Sequence, residues 1–275
     1  MNSKQMAIIG IVVIIIVIAG LYASGIFTGG NSVKGNITVL AGAGTMAAMN
    51  DLKASFEEKN PGTTVNIQYG NSAELFSTLN TQKSADMVVP GDLTFMDNAK
   101  NKGYMINDTI KPIVYHIPVI AVPKGNPKNI TNISDLGKSG IKVALGDTNG
   151  TAVGKQSIKI LNKTGNLEAV KSNVVVYAPT VNQLMTYLTS GQVDVAIVTE
   201  DIATTGEAQD KVDVIQIPEN QNAIATIGVG LTVFTQNKNL ATQFEDFITS
   251  SEGLSIWQKH GFKPVNQPVN KKYNI

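Results

Sequence analysis

Six times along the chain a short apolar strand runs through small or hydroxyl residues into a helix. That repeated unit restricts the fold more than any other feature. The first case is Ile37–Glu58: an apolar strand Ile37–Ala41, a turn of small residues at Gly42–Thr45, then an amphipathic helix. Thr64–Tyr69 alternates as a β-rich strand, and Ser72 is placed to cap a helix over Ala73–Gln82, where Leu75, Phe76 and Leu79 recur at helical spacing. Ala85–Pro90 is a further buried strand, with Gly91 and Asp92 capping a helix over Leu93–Lys102. Lys142–Leu145 leads through Gly146–Thr151 into a helix from Ala152 to Asn162, and Asn173–Tyr177 leads to Thr180, the cap of Val181–Thr189. Val193–Val198 runs into Thr199, Glu200 and Asp201 and a short helix. Successive units of this kind predict an α/β fold with open, doubly wound sheets and ligand sites at the strand C-termini.

Two apolar stretches, Ile117–Lys124 and Ala223–Phe234, are long enough to pass from one globular half to another. They predict two lobes joined by a hinge: lobe I from residues 35–119 and 225–275, lobe II from residues 120–224. Asn239–Thr249 and Glu252–His260 read as closing helices.

The amino terminus is of a different kind. Met6–Phe27 is 22 almost continuously apolar residues, preceded by Lys4 and free of acids. A span needs roughly 20 such residues, more than the roughly 7–15 of a secretory core. Residues 1–27 therefore read as a membrane anchor, with Ala23-Ser24-Gly25 as the cleavage site of the alternative, a signal segment. Thr28–Lys34 reads as a linker, and the folded part is expected outside the membrane. Six Asn-x-Ser/Thr sequons, at Asn36, Asn107, Asn129, Asn132, Asn149 and Asn162, suit an extracytoplasmic surface.

Several chemistries are excluded. The absence of cysteine removes disulfides, thiol catalysis, thiolate metal sites and a lipid anchor on cysteine. A net charge of +1 with 6% aromatic residues leaves neither an electrostatic nor a stacking footprint for nucleic acid. Residues 150–155 superficially suggest a phosphate loop, but the spacing is wrong and no Ser or Thr follows Lys155. His116 and His260, the only histidines, read as structural. Asp86, Asp92 and Asp97 read as a helix cap and a solvated face rather than a metal cluster. No enzyme activity and no cofactor are implied.

What remains is the set of turns themselves: Gly44 and Thr45, Asn71 and Ser72, Thr151–Val153, Thr180 and Val181, and Thr199. Each is a plausible helix cap. Gathered on one edge of both lobes, their N–H groups and helix dipoles can hold an anion without Lys or Arg. Such a shell selects by size, and it selects anions that only accept hydrogen bonds.

The chain also resembles the substrate-binding proteins of molybdate ABC importers, in the type II periplasmic-binding-protein class. The likeness runs from Ile37 to Phe262 through ITVLAGAGT, YGNSAELFSTL, SADMVVPGDLTFMDNAKNKGYM, KVALGDTNGTAVGK, the helix around Thr180–Leu188, and VDVAIVTEDIA. It implies a two-lobe receptor that closes over molybdate or tungstate and delivers it to a permease, acting as a monomer. Among the implied contacts, Gly44 stands where relatives present a serine, which leaves its N–H, with Thr45 as a hydroxyl nearby. Ser72 is retained. Backbone N–H groups fall at Ala152 or Val153 and at Val181. Thr199 replaces a tyrosine, and Glu200 after it reads either as a first-turn helix acid facing solvent or as a carboxylate that approaches the metal of the oxyanion. Losing the serine and the tyrosine changes the donors and enlarges the site. The alternatives are the same fold on sulfate, phosphate or a small organic anion, and a tethered sensor without transport. The pyrrole-polymerising deaminases share the scaffold but need a cysteine.

Overall fold

The computed structural model describes residues 34–266, so the expected anchor and most of the linker lie outside the described residues. Strands β1 (Gly35–Gly42), β2 (Thr63–Gly70), β3 (Met87–Val89), β4 (Lys111–His116), β10 (Ala225–Leu231) and β11 (Lys263–Pro264) make one sheet, in the order β11-β4-β10-β3-β1-β2. Strands β5 (Pro118–Pro123), β6 (Val143–Gly146), β7 (Val174–Ala178), β8 (Val195–Thr199) and β9 (Val212–Gln216) make the other, in the order β7-β6-β8-β5-β9. The helices are α1 (Met46–Lys59), α2 (Ser72–Gln82), α3 (Thr94–Asn101), α4 (Ala152–Lys163), α5 (Leu167–Lys171), α6 (Val181–Thr189), α7 (Glu200–Thr204), α8 (Lys238–Thr249) and α9 (Ser251–Lys259). No described helix is long and apolar enough to cross a membrane.

In each sheet three neighbouring strands, one of them at the edge, run parallel. β1 lies parallel to β2 and β3, and β6 parallel to β7 and β8, so their C-terminal ends and following turns share one edge. The returning strands β10 and β5 run antiparallel to their neighbours. The chain passes between sheets at Ile117 and again over residues 217–224. Neither crossing is one long strand, as the apolar runs suggested. β4 ends at His116 and β5 starts at Pro118, so the first run forms β5 alone, and Pro118 and Val119 belong to the second sheet rather than to lobe I. A register shift at Ile227/Gly228 lets β10 pair with β4 where Pro112, which has no N–H, faces Gly228.

Each lobe has its own apolar interior. Ile37, Met49, Leu52, Phe244 and Trp257 are fully buried in the first, with the Phe56 and Phe244 rings 5.0 Å apart. Ile120, Val143, Leu145, Ile160 and Ile197 are buried in the second.

Asp86 is neither a helix cap nor solvated, contrary to expectation. Buried at the start of β3, its carboxylate accepts from the Thr38 amide (2.8 Å), the Thr235 hydroxyl (2.7 Å) and the Gln236 amide (2.9 Å), tying β1 to the segment after β10. Asp86→Asn turns a donor toward these donors and should lower stability by about 2 kcal/mol in urea denaturation. An unchanged midpoint would show that the junction is not held this way.

Candidate functional site

Four strand-to-helix turns face one another across the gap between the lobes. In the first, β1 passes through a 3-10 turn at Ala43–Thr45 into α1. The chains are close here: a Cβ on Gly42 would lie 3.0 Å from the Gly91 amide nitrogen. The Thr45 hydroxyl donates to the Gly42 carbonyl at 2.8 Å and the residue is buried, so this side chain braces the turn and is no ligand donor.

In the second turn the cap is Asn71, not Ser72. Asn71 Oδ1 accepts from the amides of Ala73 (3.0 Å) and Glu74 (2.9 Å), and the Glu74 carboxylate accepts from the Asn71 amide in return. Ser72 is thereby the first residue of α2, its side chain released from capping and set in the wall of the gap.

The other two turns belong to the second lobe. Thr151 Oγ1 accepts from the Gly154 amide at 3.0 Å, and Thr180 Oγ1 accepts from the Gln183 amide at 3.2 Å. With caps on these later amides, the leading N–H groups of α4 and α6, at Ala152, Val153 and Val181, have no intrahelical acceptor.

Together the turns enclose a cavity of about 40 Å³, lined by Gly44, Ser72, Ala152, Val153 and Val181 among others. A single water needs roughly 10–15 Å³, so the space suits one compact anion. Among the described residues no Lys, Arg, Asp or Glu lines it, and the sole titratable one in its wall is His116. Three hydrogen bonds bridge the lobes around the cavity. The Ala73 amide donates to the Gly150 carbonyl (3.2 Å), Asn71 Nδ2 to the Pro179 carbonyl (3.4 Å) and Asn182 Nδ2 to the Ala43 carbonyl (3.2 Å).

Two expected contacts lie elsewhere. Thr199 is fully buried outside the cavity wall, with its hydroxyl toward the Asp201 carboxyl but closing no hydrogen bond of ordinary geometry. Glu200 is committed to the hinge: it accepts from Lys263 Nζ at 2.7 Å, across the lobes, and from Gln216 Nε2 at 2.9 Å. A carboxylate so paired is not offered to an anion.

His116 is the residue that sequence reasoning missed, and Asn71, named with Ser72 at its turn, takes the capping role expected of Ser72. The spacing Asn71-x-x-Glu74 carries the capping-box signature. For His116 no local signal existed, since its strand was itself unrecognised. Its Nδ1 lies 2.9 Å from the Gly91 carbonyl, which places the ring in the cavity wall.

Over residues 37–263 the chain matches the family of bacterial extracellular solute-binding proteins. It belongs to that family. Among relatives of this solute-binding protein, a binding protein of Haemophilus influenzae is 29% identical, over 84% of this chain and 91% of the relative. The molybdate-binding protein ModA of Mycobacterium tuberculosis is 26% identical, over 89% of this chain and 93% of its own length. In fold, the sulfate-binding protein SubI of Mycobacterium tuberculosis superimposes with a TM-score of 0.75 at 21% identity, covering 84% of this chain and 87% of that one. The two-lobe architecture of periplasmic binding proteins is thus shared well beyond sequence similarity.

Proposed function

We propose that this solute-binding protein captures a tetrahedral oxyanion, molybdate or tungstate, between its lobes and hands it to the permease of an ABC importer. It acts as a monomer held at the outer face of the membrane by residues 1–27. The observation that carries this reading is the cavity of about 40 Å³ walled by first-turn N–H groups of both lobes, with no cationic side chain. Helix N-termini neutralise an anion through oriented donors and the macrodipole. Each lobe supplies part of the shell, so capture and hinge closure go together. The ModA relative supports molybdate in particular. In this reading the protein binds and releases the anion unchanged.

Competition calorimetry with molybdate, tungstate, sulfate and phosphate is the deciding experiment. Molybdate and tungstate should displace sulfate and phosphate at equal concentration. Displacement in the opposite sense would discard the molybdate and tungstate reading and leave an oxyanion receptor of another size. Ser72→Ala removes a hydroxyl donor to a charged acceptor, worth about 1.5–3 kcal/mol, and should weaken binding by roughly 10- to 100-fold. Equal affinity in the variant would remove Ser72 from the site.

A further inference from the structure

His116 and Asp201 meet behind the cavity wall, one from each lobe. His116 ends β4 in the first lobe and Asp201 is the second residue of α7 in the other; both are 4% exposed. A carbonyl only accepts, so the contact of Nδ1 with the Gly91 carbonyl at 2.9 Å requires a proton on Nδ1. In the neutral ring Nε2 is therefore the bare nitrogen. It is buried without a hydrogen-bond partner, 3.9 Å from Asp201 Oδ1, and a Cβ on Gly44 would lie 3.8 Å from it. The pair thus sits against the Gly44 turn, immediately behind the anion cavity.

We infer that His116 and Asp201 act as one proton-holding pair spanning the lobes, whose charge regulates the anion site, so that anion capture takes up a proton. The inference rests on the oxyanion reading above. With a neutral imidazole and an ionised carboxylate the pair carries −1 and repels an incoming anion. With one shared proton it is neutral, and with two it carries +1 and attracts the anion. Every step toward more protons favours binding, whichever residue holds them. Burial pushes the Asp201 carboxyl up and the His116 ring opposes this, so a proton is retained more readily than by an exposed acid. The neighbouring charges are otherwise engaged. Glu200 binds Lys263, and the Asp92 carboxylate, after Gly91, accepts from the Thr94 amide at 2.8 Å. The larger cavity of about 650 Å³ that Asp201 borders also meets Lys211 and His260, and His260 lies 2.9 Å from Asp51. Phe262, just before β11, covers the ring of His116, centroid to centroid 6.5 Å.

The linkage sign follows. The loaded protein binds more protons than the empty one, so affinity falls as pH rises, by at most about tenfold per pH unit for one proton. The test is calorimetry of molybdate and of sulfate, both dianions throughout, with the full chain in detergent between pH 6 and 9. Two buffers of different ionisation enthalpy count the protons. Proton uptake is expected, with affinity declining across the range. His116→Gln and Asp201→Asn, shown to be folded by circular dichroism, should flatten the profile, while His260→Gln should leave it in place. Binding with constant affinity and no proton exchange overturns the pair and spares the oxyanion reading. Loss of the profile in His260→Gln alone also overturns it. No binding of either anion at any pH overturns both.

Discussion

Gly154→Ala should lower the midpoint of thermal unfolding by roughly 10 °C, equivalent to about 3–4 kcal/mol in a domain of this size. A Cβ at this position would fall 2.2 Å from the Asp147 carbonyl oxygen and 2.6 Å from that of Gly146. Both are backbone atoms of the loop that folds over the first turn of α4, so no side chain can swing aside. That loop is pinned in turn. The Thr151 hydroxyl donates to the Asp147 carbonyl at 2.8 Å, and the Asp147 side chain accepts from the Asn149 amide at 3.0 Å. Relief therefore requires the loop to lift and the Thr151 cap to break, which also displaces the Ala152 and Val153 amides. Circular dichroism on heating reads the stability loss. A midpoint within about 2 °C of the parent would show the loop to be compliant, since such a shift is under about 1 kcal/mol.

The second large effect is on binding with the fold intact. Gly44→Val should weaken oxyanion affinity by at least about 100-fold, because two or more donor contacts worth about 1.5–3 kcal/mol each are lost when the lobes are held apart. Even a single Cβ here would sit 3.1 Å from Val181 Cγ1, on the opposite lobe. The branched side chain adds two methyl groups at the same seam. Closure is blocked where α6 meets the first turn, and the Val181 amide is withdrawn from the anion. The thermal midpoint without anion should stay near that of the parent, which separates this from misfolding. Parental affinity in Gly44→Val would mean that closure at this seam is not required.

Much of this was legible before any coordinates. The strand-turn-helix units carry their own punctuation, and the helix Val181–Thr189 with its Thr180 cap stands as expected. Other features depend on partners distant in the chain. β4 reads poorly because Lys111, Pro112 and His116 leave only three apolar residues between them, yet β10 and β11 on either side supply the pairing. Ser72 and Asn71 are both competent caps by type, and the reciprocal bond from Glu74 decides between them. Thr199 and Glu200 follow a strand as the donor residues do, but α7 turns them toward the hinge, where Lys263 arrives from the far end of the sequence. His116 has an unremarkable local sequence. Its place in the cavity wall comes from the crossing at Ile117, which only tertiary structure reveals.

The three bridges around the cavity, from Ala73, Asn71 and Asn182 to backbone carbonyls, are all uncharged. Dissolved salt screens charged contacts and leaves neutral hydrogen bonds nearly untouched. These three bridges therefore hold equally in dilute and in saline surroundings, while the charged Glu200–Lys263 contact, which also spans the lobes, is weakened by salt. In the proposed carrier, salt would thus reach the closure of the lobes through the hinge and not through the rim of the cavity.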